Sequence, residues 1–346
     1  MKKTLLMLFI ALVTVNVMAQ SYLVQVKPDG SKLWGYANEK GELIVPAKYK
    51  KCFPFSEGYA VVLNGKEYGF IKHDGGELET SVKGFRLAKS SLFGLQGFSD
   101  GLVQISKDGK WGYLDTDGQT AIDLKYDFTT KFSGGFALVK RGAEFFVLNK
   151  RGEEIAITVA NVAKIKEFSE GFAPITFTDK TVGFIGTDGK LAIDNKFRAV
   201  GYFKNGLAWA KNESNLLGYI GTDGNWVVEA KFAAGKNFDK KSELARIKFE
   251  DKWAYTNRSG TLLFIKNTEV WGDFSDGLAK GKITGKFGFY DNTGNWIIAP
   301  KFEGVRNFKN GFAAAKLKGK WGVINTNGDW VIQPVFIAIK DLELIK

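Results

Sequence analysis

The sequence has very few of the side chains on which most enzyme chemistry depends. Its 346 residues include one His and one Cys, which are His73 and Cys52. A Ser-His-Asp triad, a Cys-His dyad or a zinc site built from several His residues needs more than these two residues supply. We therefore expect that the protein is not an enzyme, and we assign no catalytic residue, no cofactor and no metal site. A single Cys also cannot form an internal disulfide, so stability must come from packing.

Other signatures of chemistry are missing as well. The stretch Asp115-x-Asp117-Gly118 resembles part of a calcium loop, but the further oxygen ligands and the closing Glu are absent. No glycine-rich loop precedes a helix, and no stretch has a sustained period of 3.6 residues. The sequence therefore predicts an all-β protein with almost no helix.

Long apolar runs are absent after the first 20 residues. Lys2 and Lys3 precede an apolar segment from Leu5 to Val17, and Val17-Met18-Ala19 forms a small-residue cleavage site. This predicts a signal peptide at residues 1–19, with an apolar core too short to span a bilayer, and a mature domain at residues 20–346. We expect an exported protein, periplasmic or extracellular, with no transmembrane segment.

The charge is strongly positive, at a formal net value of +12, but the lysines are spread along the whole chain. We interpret them as a solvated surface, with weak attraction to anionic glycans as the alternative. The predicted export argues against nucleic acid as a partner.

What the sequence has in abundance is an internal repeat. An aromatic or apolar residue, usually followed by Gly and a second aromatic residue, occurs nine times at intervals of 34 to 43 residues. The first residues of these motifs are Trp34, Tyr68, Trp111, Phe145, Val182, Leu217, Trp253, Phe287 and Trp321. The repeat predicts nine tandem units that begin near residues 32, 66, 109, 143, 180, 215, 251, 285 and 319.

Two glycine-containing turns mark each unit. Seven residues after the start of the motif stands a Gly in all nine units, as at Gly118 and Gly328, which predicts a hairpin turn with a positive φ. Further along, a loop of the type Phe98-Ser99-Asp100-Gly101 precedes a third strand, such as Phe136 to Lys140. Each unit therefore reads as a three-stranded antiparallel meander.

A small residue occupies one register of the third strand. The second residue after the loop Gly, or its equivalent, is Ala in seven of eight units, for example Ala137 and Ala208. Since Ala is a poor strand former, this position predicts close contact between neighbouring sheets, opposite the large rings of the first strand.

The repeat resembles that of the WG-repeat family, over essentially the whole mature chain. Lys110-Trp111-Gly112-Tyr113-Leu114-Asp115 and Lys320-Trp321-Gly322-Val323-Ile324-Asn325 match the family pattern closely. The motif residues that carry the resemblance are Trp34, Gly35, Trp111, Gly112, Trp253, Trp321 and Gly322. Units two and four depart most, through a long connection around Val82 to Gln96 and the absence of Gly after Phe145. The resemblance implies a β-repeat interaction module with no defined reaction.

Two arrangements of the nine units fit the sequence. We favour an open, curved or superhelical β array, because propeller blades normally carry four strands and these units offer three. The alternative is a closed, propeller-like ring, in which Tyr22 to Val26 would complete the last unit by pairing next to Gln333 to Ile337.

A row of variable residues on the third strand gives a candidate binding surface. The residue after the small position is Gln104, Trp209, Arg246 or Lys280 in four units, and the last three of these units are consecutive. An exposed Trp beside cations is suited to a glycan or an acidic peptide. We therefore expect a non-catalytic scaffold that binds a protein or peptide through a repeated β surface, or alternatively a module that binds glycan or peptidoglycan.

Overall fold

The structure is a computed structural model that describes residues 21–90 and 94–345, and the predicted signal peptide lies outside them. Within those residues the regular structure is entirely β, in 37 strands and no helix. Nine sheets of three or four antiparallel strands follow one another along the chain, and a two-stranded hairpin is inserted in the third. The all-β repeat predicted from the sequence is confirmed, and we call the nine sheets blades one to nine.

Eight blades have four strands, one more than the sequence predicted. In the four-stranded blades, a predicted third strand is followed by the first and second strands of the next unit, and these form the second, third and fourth strands of the blade. The strand that was missed is the first strand of each blade, and in most blades it is only two residues long. In these blades it follows the last strand of the preceding blade and comes before the second strand of its own blade. Two residues carry too little alternation to identify a strand from sequence.

The strands of blades one to three are as follows. Blade one contains β37 (Ala338–Ile345), β1 (Ser21–Lys27), β2 (Trp34–Asn38) and β3 (Leu43–Tyr49). Blade two contains β4 (Lys51–Ser56), β5 (Tyr59–Asn64) and β6 (Glu67–Ile71). Blade three contains β7 (Arg86–Leu87), β10 (Leu102–Lys107), β11 (Lys110–Asp115) and β12 (Thr120–Tyr126), with the inserted hairpin β8 (Lys89–Ser90) and β9 (Gly94–Leu95).

Blades four to six follow the same order. Blade four contains β13 (Phe128–Thr129), β14 (Phe136–Arg141), β15 (Glu144–Asn149) and β16 (Glu154–Ala156). Blade five contains β17 (Val162–Ile165), β18 (Ala173–Phe177), β19 (Val182–Ile185) and β20 (Leu191–Phe197). Blade six contains β21 (Ala199–Val200), β22 (Ala208–Lys211), β23 (Leu217–Ile220) and β24 (Trp226–Phe232).

Blades seven to nine complete the chain. Blade seven contains β25 (Ala234–Gly235), β26 (Ala245–Phe249), β27 (Lys252–Thr256) and β28 (Leu262–Leu263). Blade eight contains β29 (Phe274–Ser275), β30 (Leu278–Ile283), β31 (Lys286–Tyr290) and β32 (Trp296–Phe302). Blade nine contains β33 (Gly304–Val305), β34 (Phe312–Leu317), β35 (Lys320–Asn325) and β36 (Trp330–Phe336).

The two ends of the chain meet in blade one and close the ring. Strand β1 pairs antiparallel with β37 from Ser21–Ile345 to Lys27–Ala338, and with β2 on its other side. Buried residues of blade one, such as Val24 and Ala37, form one core with blade-nine residues such as Val323. The protein is a nine-bladed, propeller-like ring, so the open array favoured from sequence is wrong and the closed alternative is right. The pairing also differs in detail, because β1 adds to the strand after Gln333 to Ile337.

The loop motif between the first and second strands joins consecutive blades. In four loops the Ser hydroxyl donates to the carbonyl of the loop Phe in the next blade, over 2.6 to 2.7 Å. The acidic residue that follows, as at Glu57 and Glu170, accepts backbone N–H bonds from the next blade's loop. The sequence identified these residues only as turn formers, because a contact one repeat away leaves no local pattern.

The core lies between the blades rather than within them. The predicted small residues of the second strand are buried, with Ala137 and Ala208 fully so. Ala137 packs in one cluster with Tyr113 of the preceding blade, and Ala208 does so with Phe184. The predicted contact between a small residue and a large ring is confirmed. The nine hairpin glycines also have positive φ, as predicted, for example +78° at Gly118.

Candidate functional site

The residues predicted to form a binding row lie between blades. Gln104 is buried, and its amide donates to the carbonyl and hydroxyl oxygens of Thr129 in the next blade, at 2.8 and 2.9 Å. Trp209 is partly buried against the core between blades six and seven, and its indole covers Gly201. These two side chains therefore have packing roles in the structure.

The two cations of that row also face neighbouring residues. Arg246 pairs with Asp273 at 2.8 Å, donates to the carbonyl of Trp271 at 2.6 Å and lies over the ring of Trp253. Lys280 is half-buried, and burial lowers the pKa of its ammonium while Asp273 opposes the change. Trp209, Arg246 and Lys280 occupy equivalent positions in consecutive blades, but they do not form an open stripe, and their role in binding stays a prediction.

The single His and the single Cys have environments that suit packing. Cys52 is buried in blade two, and burial raises the pKa of its thiol to about 12. The ring of His73 packs against that of Phe55 in a tilted arrangement, at a centroid distance of 4.8 Å, and desolvation lowers the pKa of His73. Cys52 therefore remains a thiol near neutral pH.

The Gly of the aromatic-Gly motif explains how the fourth strand is held. In six blades a β-carbon at this Gly would come within 3.0 Å of backbone atoms of the fourth strand, which crosses directly above it. These glycines are Gly35, Gly112, Gly183, Gly218, Gly288 and Gly322. None has a positive φ, so the Gly is required by the close approach of two backbones rather than by its own conformation.

Blade two has the same Gly but lacks the strand above it. Gly69 also has an ordinary φ, and a β-carbon there would meet nothing within 4 Å. Strand β6 is joined on its outer side only by the Ile71–Glu77 bridge and by a bond from the Leu78 N–H to the Phe70 carbonyl, as far as the described residues show. After Leu78 the chain leaves β6, so the outer edge of blade two is open from Glu67 to Gly69.

A groove of about 730 Å³ lies along this open edge. Its apolar wall includes Tyr68, Phe70 and Phe85, and the last two rings stack at 5.6 Å. Four cations line it as well, and these are Lys66, Lys83, Arg86 and Lys89, against the two carboxylates of Glu67 and Glu77. The groove therefore combines unpaired backbone, aromatic surface and a positive balance of charge.

The two ends of the sheets differ in the elements they expose, and both carry exposed cations and carboxylates. One end holds the hairpins between second and third strands and the ends of the fourth strands, and we call it the lysine face. Its exposed lysines are Lys48, Lys66, Lys107, Lys110, Lys125, Lys196, Lys231, Lys252, Lys286, Lys301 and Lys318. The other end holds the glycine turns and the acidic loops that link the blades.

Features of other site types are absent from the described part of the chain. It contains no group of three or more His, Cys, Asp and Glu residues placed to hold a metal ion. The residues that resembled a calcium loop instead form a turn, in which the Asp115 carboxylate accepts the N–H groups of Asp117 and Gln119 at 3.0 and 2.8 Å. No helix long and apolar enough to cross a membrane occurs in residues 21–90 and 94–345.

A closed ring of nine small antiparallel sheets is the architecture of a β-propeller. The profile of the WG containing repeat family matches residues 34–68, 111–143, 183–215, 218–253, 287–321 and 321–342, which is more than half of the chain. The protein belongs to this family.

Two solved structures are similar to this chain, and only the first has a TM-score high enough to support the fold. The crystal structure of a eukaryotic initiation factor aligns with a TM-score of 0.62 at 12% identity, over 94% of this chain and 98% of that one. BamB from Moraxella catarrhalis aligns with a TM-score of 0.45 at 14% identity, over 80% of this chain and 94% of that one. No curated protein matches the sequence.

Sequence reasoning missed the open edge of blade two, although it noticed where the repeat is irregular. The interval after the motif at Tyr68 is 43 residues, the longest in the chain, and the long connection from Val82 lies within it. The sequence did not predict that blade two retains the motif residue Gly69 but has no fourth strand packed against it.

Proposed function

We propose that the protein is an exported, non-catalytic scaffold that binds a protein or peptide partner. The observation that carries this proposal is the open edge of blade two, where unpaired backbone and the rings of Tyr68 and Phe70 line one groove. In six other blades a fourth strand covers the equivalent backbone position, and in blade seven the fourth strand pairs only with Tyr255 and Thr256. A groove that combines these features with a few convergent charges is typical of a site that recognises another chain.

Photo-crosslinking in the producing cells tests this proposal. A photoreactive amino acid replaces Lys66 in the groove or, as a matched control, the exposed Lys150 in the glycine turn of blade four at the other end of the sheets. The scaffold proposal expects a discrete crosslinked species at Lys66 that is absent at Lys150. Identical crosslinking at both positions, or none at Lys66, would contradict it.

The lysine face supports a second candidate function, which is binding to an anionic glycan of the cell envelope. Lysines at the ends of fourth strands lie over the ring of the next residue in five blades, as Lys231 does over Phe232 at 5.6 Å. This contact holds each ammonium at the end of its blade, so the face presents a regular array of cations.

A retention experiment separates this candidate from the first. The protein is passed over insoluble cell-wall polysaccharide at increasing salt, beside the double variant Lys231→Glu and Lys301→Glu. Glycan binding at this face predicts retention that falls with salt and is lost in the variant. Equal retention of both proteins would exclude the lysine face as a glycan site.

A further inference from the structure

We propose that the open edge of blade two binds an extended peptide segment of the partner, which adds to β6 as the fourth strand of that blade. This inference rests on the proposed scaffold function and specifies how the partner is held. Strand addition would give the partner the main-chain hydrogen bonds that β6 leaves unmade, and the groove would select its side chains.

Gly69 is the first support for strand addition. In six other blades the equivalent Gly is buried beneath a fourth strand, and any side chain there would collide with that strand's backbone. Gly69 is only half-buried, has space around its α-carbon and does not adopt a left-handed conformation. Among the described residues nothing lies within 4 Å of a β-carbon built at Gly69, whereas in these six blades the fourth strand leaves no room for a side chain.

The backbone of Tyr68 is the second support. In an antiparallel pair, alternate residues direct their N–H and C=O groups to opposite sides of the strand. The residues equivalent to Tyr68 pair with the fourth strand, as Trp111 does with Tyr126 and Phe287 does with Phe302. In the described residues no strand takes this place beside Tyr68, so its outward groups are available to a partner.

The chain's own segment after Leu78 is held elsewhere. The N–H of Ser81 donates to the Gly118 carbonyl of blade three at 2.8 Å, and the Ser81 hydroxyl lies 3.1 Å from that of Thr120. These bonds hold the segment against the neighbouring blade. Within residues 21–90 and 94–345 no strand occupies the position above Gly69, which is where the proposed partner segment would lie.

The fourth strands of the other blades indicate which side chains the position accepts. Six of them share a buried Val or Ile and, four residues later, a buried aromatic residue, as in Val228 and Phe232 or Ile298 and Phe302. The excess of cations at Lys83, Arg86 and their neighbours favours acidic residues between or beside these anchors. The partner segment is thus an extended, acidic peptide with a branched aliphatic residue and an aromatic residue spaced by four.

A peptide copied from the protein itself is a suitable probe when it contains both anchors with an acidic residue beside them, as Ile298, Phe302 and Glu303 do. A fluorescently labelled peptide with the sequence of Asn295–Glu303, which contains the fourth strand of blade eight, is titrated with the full mature chain, and anisotropy is measured. A peptide of the same composition in scrambled order is the control. Saturable binding of the first peptide alone is expected.

The decisive variant is Gly69→Ala, with Gly97→Ala as a matched control outside the groove lining. Gly97 has room for a methyl group, with its nearest neighbour at 3.4 Å, and does not have a positive φ. Strand addition predicts that Gly69→Ala weakens peptide binding at least tenfold without lowering the thermal midpoint of unfolding. Gly97→Ala should change neither the peptide affinity nor the thermal midpoint. Equal binding by all three proteins, or no saturable binding by the unmodified chain, would overturn the inference.

Two further outcomes are informative. If Gly69→Ala destabilises the protein as much as the equivalent changes in other blades are expected to do, then a segment of the chain itself occupies the fourth-strand position of blade two. The inference would then be wrong. If the probe does not bind but the crosslinked species at Lys66 persists in Gly69→Ala, strand addition fails while the scaffold function stands. If neither probe binding nor the crosslinked species at Lys66 is observed, the proposed scaffold function is contradicted as well.

Discussion

The close approach of the fourth strand to the motif Gly predicts an unequal response to one substitution at two equivalent positions. In Gly112→Ala the new β-carbon would lie within 3.0 Å of backbone atoms of Ile122 and Asp123. Since backbone cannot move aside without disturbing the fourth strand, we expect a loss of about 1–3 kcal/mol in the free energy of unfolding. For a chain of this length that corresponds to a fall in Tm of about 2–4 °C.

The matched variant is Gly69→Ala, where a β-carbon meets nothing within 4 Å. We expect its free energy of unfolding to stay within about 0.5 kcal/mol of the unmodified protein. Urea denaturation followed by tryptophan fluorescence measures both variants under the same conditions. Equal destabilisation of the two would refute the reasoning, because it would mean that blade two is closed by a strand as the others are.

Three further predictions concern the contacts that hold the ring together. Glu170→Ala removes the carboxylate that accepts the backbone N–H groups of Asn205 and Gly206, at 2.7 and 2.9 Å. We expect urea denaturation to show a loss of about 1–2 kcal/mol in the free energy of unfolding. No measurable loss would contradict the role of this loop in joining blades. Burial raises the pKa of Glu343 above its ordinary 4.5, with Lys309 opposing, so its contribution to stability is complete below pH 4.5 and declines as pH rises through the folded-state pKa. In Glu343→Gln the fall in Tm between pH 4 and pH 7 should therefore be smaller, and an unchanged pH profile would contradict this. Ending the chain at Ile337 removes β37 and opens the ring, so small-angle X-ray scattering should show a radius of gyration above the value of about 20 Å expected for the compact chain, and an unchanged radius would argue against closure through β37.

Much of the blade was predictable because its features are local. A Gly seven residues after each motif specifies a hairpin turn through its positive φ, and alternation specifies the strands on either side of it. The small residue at Ala137 and its equivalents also predicted the contact between sheets, since a poor strand former kept in one register needs a packing reason. The Gly occurs in all nine units and the Ala in seven of eight, so each unit supports the interpretation of the others.

Closure of the ring was not predictable from the same features. It depends on the pairing of β1 with β37, two segments separated by nearly the whole chain, and no local pattern distinguishes a closing strand from a capping one. The two-residue first strands that give the blades their fourth member were also too short to recognise. The open array was favoured because only three strands per unit were recognised, whereas eight of the nine blades have four.

The candidate site was harder to predict than the fold. Sequence reasoning looked for variable, bulky side chains and selected Trp209, Arg246 and Lys280, which the structure places among contacts between strands and blades. The open edge of blade two is instead marked by an unchanged residue, Gly69, beside a displaced strand. Such a site can be identified only from the three-dimensional structure, which shows that no fourth strand pairs with Tyr68 in the described residues.

Hydrogen exchange at the backbone N–H of Tyr68 tests the central claim most directly. We predict that in the free protein this amide exchanges much faster than that of Trp111, its equivalent in blade three, which pairs with a fourth strand. We also predict that the peptide copied from Asn295–Glu303 slows exchange at Tyr68 and leaves Trp111 unchanged. Equal protection of the two amides in the free protein would contradict the account, because blade two would then have no open edge to offer.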